Sequence, residues 1–304
     1  MEASLESPAF EVLAPAVPSA FLAAVTDFLL AGSDFLFLGL TTMVAAAPAK
    51  FPEAQFFVVQ RDGHVVMAAL RTAANYKFVI SRAEDEGAVP ALVDALAAAI
   101  AVAPRGLLGP TAAAGPAAQL VAERYSLAPP RRGVAERYLV ARAVRAPPRG
   151  TPEGGLRAAA AADGPLLERW CESFFEDVGI DPVMRRPGAE VVQNFAGRLF
   201  VWCDGEGGAG EPVCMAGFSG EDQPPGSQRV SMVYTPPERR KNGYAGAAVH
   251  AVAAKLLAGG QPYVGIVTDA ANPTSNSVYE SVGFEHVCDG QTWHFDVSDA
   301  KDRV

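Results

Sequence analysis

Cysteine is scarce: Cys171, Cys203, Cys214 and Cys288 are the only four in 304 residues, and none form a C-x-x-C pair. That excludes a disulfide framework and a zinc ribbon, and fits a reducing compartment. Basic charge is also short. Lys and Arg number 25 against 34 Asp and Glu, a net charge of -9, so the long-range field that draws in phosphodiester backbones is missing and no nucleic-acid partner is expected. Long apolar runs are lacking too. The most apolar uncharged window, Phe35 to Ala49, is interrupted by Pro48 and falls short of the roughly 18 to 20 residues a bilayer demands. The opening MEASLESPAFEVL carries acidic residues where a secretory leader is basic, and no Arg-rich, acid-poor transit segment follows. The expectation is a cytoplasmic protein with no membrane partner.

What is present is apolar mass. Half the residues are hydrophobic and 19% are charged, a balance that excludes intrinsic disorder; the length accommodates one large domain or two. Ala20 to Leu40 has apolar residues at helical spacing, and Phe56 to Val59 reads as a strand. VVQRDGHVVMAAL sets Asp62-Gly63 between two apolar stretches, a strong hairpin signal. A strand at Asn75 to Ser81, helices at Ala91 to Val102 and Thr111 to Ser126, and a strand at Arg137 to Val144 follow. The segment APPRGTPEGG, Ala146 to Gly155, has the composition of a linker, which places a domain boundary between 145 and 146.

Beyond it the order repeats in kind. A short strand at Leu156 to Ala159, a helix at Pro165 to Val178 and strands at Leu199 to Cys203, Pro212 to Ser219 and Arg229 to Tyr234 precede a helix from Tyr244 to Ala258. A strand at Tyr263 to Thr268, a helix at Ser275 to Val282, and strands at Phe284 to Cys288 and Thr292 to Val297 complete the chain. This is an α+β pattern, written twice without residue-level repetition.

The informative window is VSMVYTPPERRKNGYAGAAVHAVAAKLL, Val230 to Leu257. A strand enters a turn at Pro236-Pro237, a basic run Arg239-Arg240-Lys241 follows, and Gly243 opens an uninterrupted helix. The first turn of a helix has unpaired N–H groups and the positive end of the macrodipole, so this sequence builds an anion seat. Gly243 permits close approach and Ala245 keeps the floor small. A nucleotide P-loop is excluded because the Gly-Lys-Ser/Thr ending is missing. A second signature, TDAANPTSNSVYESVGF at Thr268 to Phe284, follows the next strand.

Together the two segments resemble the acyl-CoA-binding core of the GNAT superfamily of N-acetyltransferases, over about Gly154 to Val297, and more narrowly its tandem-domain acetyltransferases. The resemblance implies two GNAT-like domains, each a mixed, mostly antiparallel sheet flanked by helices: a degenerate copy at 1–145 and a catalytic copy at 146–304. Acetyl-CoA is the implied cosubstrate and an amine, small or peptidic, the implied acceptor. The implied strands Arg229 to Tyr234 and Tyr263 to Thr268 splay, and backbone around Met232, Val233 and Tyr234 takes the pantetheine arm. The diphosphate falls to Arg239, Arg240, Lys241, Asn242, Gly243, Tyr244 and Ala245. Tyr279 matches the family's acid, which protonates the leaving thiolate. Asn272 holds the arm or caps the next helix, with Ser275 and Asn276. One departure stands out: Asn242 occupies the position before Gly243, which is usually basic in the superfamily.

No acid lies on the Arg229 to Tyr234 strand, where several relatives carry a glutamate; Glu221, Asp222 and Asp269 are the substitutes for a general base. His286, Cys288 and His294 fit no standard zinc spacing, so no metal is assigned. His250 reads as an ordinary helical residue. Two alternatives to a cationic-amine acetyltransferase remain: an amino-acid acyltransferase of the glycine N-acyltransferase type, and an acyl-CoA-binding sensor without turnover. The acidic balance leans toward a cationic acceptor.

Overall fold

The computed structural model describes residues 10–148, 150–179, 185–222 and 224–297. The chain forms two units, one running through Glu136 and taking back the chain from Cys288, the other spanning Arg137–Val287. The path therefore changes unit twice, once within each of two strands, instead of at a single cut between 145 and 146. The Pro/Gly segment that suggested that cut lies inside the second unit.

The first unit contains strands β1 (Phe10–Leu13), β2 (Gln55–Arg61), β3 (His64–Arg71), β4 (Phe78–Ile80) and β5 (Gly106–Pro110). Its helices are α1 (Pro18–Ala31), α2 (Phe35–Ala46), α3 (Ala88–Ala99) and α4 (Thr111–Arg124). The Asp62-Gly63 hairpin forms as read: both residues have positive φ and Arg61 faces His64 across β2 and β3. Alternation in β2 sends Phe57 and Val59 to the α3/α4 face, and Phe56 and Val58 to the α1/α2 face. Two helices replace the single one expected over Ala20 to Leu40. Gly32 ends α1, and Ser33 at φ 57 reverses the chain before Asp34 starts α2.

The second unit contains the inner part of β6 (Arg131–Ala141), then β7 (Gly155–Ala158), β8 (Leu199–Cys203), β9 (Pro212–Ser219), β10 (Arg229–Tyr234) and β11 (Val264–Asp269). Its helices are α5 (Gly164–Asp177), α6 (Gly188–Asn194), α7 (Tyr244–Ala258) and α8 (Pro273–Ser281). Its strand order is β6-β11-β10-β9-β8-β7, and that of the first unit is β1-β2-β3-β4-β5-β12, where β12 (Glu285–His294) is the last strand among the described residues. The pairs β1/β2, β2/β3, β3/β4, β5/β12, β7/β8, β8/β9 and β9/β10 are antiparallel, while β4/β5 and β10/β11 run parallel.

The exchange is the main departure from sequence order. Gly290 to His294 of β12 pair with β5 of the first unit, and Trp293 and Phe295 enter that unit's core. The two strands expected at Phe284 to Cys288 and Thr292 to Val297 are one, because Gly290 stays in the ladder opposite Pro110. Strands β1 and β5 and helix α6 were not anticipated. In β5, a Cβ on Gly106 would lie 2.2 Å from Trp293 O, and one on Gly109 2.5 Å from Ile80 O. Glycine is what lets the flanking strands close on β5.

Helices cover both faces of each sheet. In the second unit α7 and α8 pack with Val230, Ile266 and Phe284, while α5 and α6 pack with Val201, Met215, Met232 and Tyr234. No described helix is long and apolar enough to cross a membrane. Trp293→Ala should lower the stability of the first unit by about 3 to 5 kcal/mol, read as an earlier urea midpoint, although residue 293 follows the whole second unit in sequence.

Candidate active site

A parallel pair that stops short creates the site. Strands β10 and β11 are in register at Arg229↔Gly265 and Val230↔Ile266 and then part. Across the other edge of β10, Ser231 faces Gly217 and Tyr234 faces Met215, so three steps on β10 match two on β9. That is a β-bulge, and Met232 absorbs it with φ 53, a left-handed conformation that non-glycine residues rarely adopt. The extra residue turns the β10 backbone off its ladder and leaves a slot beside β11. The splay expected from the resemblance is present, with a bulge as its cause.

The slot belongs to a cleft of about 1190 Å3 within the second unit. Of the thirteen residues singled out from the sequence, Met232, Val233, Tyr234, Arg239, Arg240, Lys241, Gly243, Tyr244, Ala245, Asn272, Ser275 and Tyr279 line it. Asn242 does not: its amide donates to the carbonyls of Arg239 at 3.1 Å and Arg240 at 3.4 Å, closing the turn.

Gly243 is the N-cap of α7 at φ 82, and the cap has no side-chain hydrogen bond. The first N–H groups of the helix therefore face the cleft without an intrahelical partner. A Cβ at Gly243 would meet only Pro152 Cδ, at 3.9 Å, so the space above the helix end is open. The basic run is not uniformly free. Arg240 pairs with Asp177 at the end of α5 and donates Nε to Thr235 O at 2.9 Å. Arg239 lies 3.6 Å from Asp204 and 3.5 Å from Glu211. Lys241, at φ 69, is exposed and has no ion pair among the described residues. The arginines fix the loop, while the helix end and Lys241 present the positive potential.

The corresponding turn in the first unit, Ser81 to Gly87, has the opposite character. Gly87 is right-handed at φ -70, and a Cβ there would lie 2.5 Å from the Phe10 ring. Glu84, Asp85 and Glu86 precede α3, and Asp85 accepts from Gly87 N at 2.8 Å. An anion arriving there meets carboxylates and an occupied amide. The β4–β5 edge is closed by the approach of Gly109 to Ile80 O.

Tyr279 sits on α8, 9% exposed, against Phe284 edge-on at 6.4 Å. Burial pushes its phenol from 10.0 up to about 12, opposed by a hydrogen bond with the Ser275 side chain and reinforced by the nearby Cys214. The Cys214 thiol in the same interior is likewise pushed up to about 12 by burial. Asn272 takes the capping role, its Oδ1 accepting from Ser275 N at 3.1 Å. The acids considered as bases fare differently from one another. Asp269 reaches the cleft, but its Oδ1 accepts from Ala271 N at 2.8 Å. Asp222 accepts from Gln228 at 2.6 Å, and neither it nor Glu221 lines the cleft.

Sequence reasoning missed Arg229, Phe174, Asp177 and Val178, all of which line the cleft. Asp177 left a trace: an acid at a helix C-terminus opposes the macrodipole and needs a compensating partner, here Arg240.

Residues 223–294 match the family model described as FR47-like protein. A GCN5-related N-acetyltransferase from Sphaerobacter thermophilus superposes with a TM-score of 0.55 at 17% identity, covering 93% of this chain and 94% of its own. An acetyltransferase of the GNAT family from Colwellia psychrerythraea does so with a TM-score of 0.53 at 13% identity, over 94% of this chain and 99% of its own. The chain has the GNAT fold. A Drosophila protein shares the fold along its length as well, with a TM-score of 0.60 at 13% identity, over 95% of this chain and 99% of its own. No curated protein matches the sequence. Because these GNAT structures align over nearly the whole chain, the fold likeness includes both units and not the second alone.

The left-handed cap predicts a specific cost. Gly243→Ala should destabilise the second unit by about 1 to 2 kcal/mol through φ alone, since the added methyl group meets no protein atom closer than 3.9 Å; chemical denaturation reads it.

Proposed function

We propose that the protein is an acyl-CoA-dependent N-acyltransferase, moving an acetyl group from acetyl-CoA to a primary amine in a ternary complex, with the second unit catalytic and the first structural. The observation that carries this reading is the bulged, parted β10–β11 edge opening between an uncapped helix N-terminus and a buried phenol. The open space over Gly243 fits a diphosphate, which would accept from the first N–H groups of α7 and pair with Lys241. Backbone of Met232, Val233 and Tyr234 would hold the pantetheine arm along the free edge of β10.

Acetyl-CoA supplies a thioester, a carbonyl activated for attack by an amine. The bulge backbone offers a fixed amide where negative charge gathers on that carbonyl oxygen, and a preorganised donor of this kind contributes about 3 kcal/mol. The amine nitrogen forms the new C–N bond and loses its proton to water, since the bulged strand has no acid and Asp269 is engaged by Ala271. The C–S bond breaks, and Tyr279 protonates the departing sulfur, recovering its proton through Ser275.

A free thiolate, whose thiol has a pKa near 8.5, is too weak a base to take a proton from a phenol near 12, so transfer would require the departing sulfur to be desolvated, as the phenol itself is.

Isothermal calorimetry with coenzyme A should give binding that weakens about fivefold in Lys241→Ala, the effect of roughly one kcal/mol from an exposed charge; absence of any heat at millimolar coenzyme A overturns the reading. Thiol release from acetyl-CoA across an amine panel should fall roughly 100-fold or more in Tyr279→Phe, with coenzyme A affinity retained. Because the phenol stays protonated until about pH 12, kcat/KM should climb with pH through the pKa of the amine and show no decline near pH 10. Coenzyme A binding without thiol release from any amine would leave a binder in place of an enzyme.

A further inference from the structure

At one corner of the first unit's sheet, two long side chains lie over two glycines. Gly106 of β5 faces His294 of β12, and a Cβ on Gly106 would meet the Lys77 stem, Cγ at 3.1 Å and Cδ at 3.3 Å. Lys77 is the residue before β4, so its side chain crosses β5 toward His294. The backbones of the two are two strand spacings apart, roughly 10 Å, a distance the Lys77 stem shortens. His294 leans over a glycine in its turn: a Cβ on Gly133 of β6 would lie 2.6 Å from its Nε2. We propose that this corner is an anion site, in which Lys77, His294 and Arg131 seat a tetrahedral dianion of the sulfate or phosphate-monoester type.

Alternation collects these groups on one face. Phe78 and Trp293 enter the α3/α4 core, so Lys77 and His294 project from the opposite face of the sheet. Arg131 stands two residues before Gly133 and shares its face, whereas Arg132 goes to the other side, 5.4 Å from the Trp293 ring. Arg105, next to Gly106, alternates away as well.

The charge at this corner is unbalanced. Lys77 is half-buried and forms no ion pair among the described residues. Burial lowers its ammonium from the ordinary 10.5, and Glu136 opposes the fall. Burial also holds the half-buried His294 imidazole below its ordinary 6.5, and the charges of Lys77 and Arg131 lower it further. Arg131 keeps Asp296 at 2.9 Å. Two acids, Glu136 and Asp296, therefore stand against three groups that are all cationic once His294 takes a proton. A dianion between Lys77 and His294 would turn their mutual repulsion into shared attraction and accept charge-assisted hydrogen bonds from Nζ and Nε2. The donors come from three separate segments, which suits oxygens arranged on several sides better than a planar carboxylate, and the glycine floor leaves room for a small head group. The site stands at the start of the parallel pair β4 and β5, while the acidic turn Ser81 to Gly87 follows β4 at its other end. The unit with no anion seat at its helix turn would thus hold a ligand of its own elsewhere.

The test is a histidine NMR titration of the full-length protein in sulfate, against chloride at equal ionic strength, with His294→Gln assigning its resonance among the four histidines. Sulfate should raise the pH at which His294 titrates by an amount equivalent to about tenfold tighter sulfate binding to the protonated form, while the exposed His64 stays in place. Lys77→Gln should raise the His294 titration in chloride, because a repelling charge is gone, and remove most of the sulfate response; Lys77→Arg should retain that response. Glycerol phosphate acting more strongly than inorganic phosphate would assign the site to an esterified head group, and the reverse order to the free ion. A His294 titration that is the same in sulfate and chloride, or a sulfate response that survives Lys77→Gln, overturns the proposal. Coenzyme A enters no arm of the experiment, so its outcome is separate from that of the acyl-transfer reading.

Discussion

The second unit depends on a ladder that ends early. Two residues of β10 pair with β11, and one extra residue at Met232 turns the strand away, which opens the slot of the cleft between β10 and β11. A bulge costs hydrogen bonds and here also a left-handed side-chain-bearing residue. The packing of Met232 and Tyr234 under α5 and α6 offsets that cost and keeps the distortion in place. The bulge is therefore built in before any ligand arrives.

The two units show what the same architecture does with different chemistry at one turn. Before α7 the chain has Arg239, Arg240, Lys241 and a left-handed Gly243; before α3 it has Glu84, Asp85, Glu86 and a right-handed Gly87 blocked by Phe10. The two arginines beside the open helix end are already engaged by Asp177, Asp204 and Glu211. Their work is to hold the turn in shape, which leaves the helix amides and Lys241 as the groups that meet solvent.

Much of this was readable from local pattern. Strands β8, β9 and β10 and helix α7 fall where the sequence pattern puts them. Tyr279 and the turn before α7 could be singled out because each lies within a short segment, and both line the cleft. What could not be read is non-local. Strand β5 hid behind Gly106 and Gly109, whose absence of side chains is explained only by Trp293 O and Ile80 O closing on them. Asn242 looked like a phosphate ligand until its amide was found closing its own turn.

The routing of β6 and β12 sets how the molecule can be taken apart. The first unit's sheet ends in the last described strand, and the second unit's sheet begins with the strand that follows α4. The first unit is therefore two separate stretches of sequence, and a truncation after Glu136 would remove Gly290 to His294, the partners of β5. The second unit is one continuous stretch, so only it can be excised with a single pair of cuts.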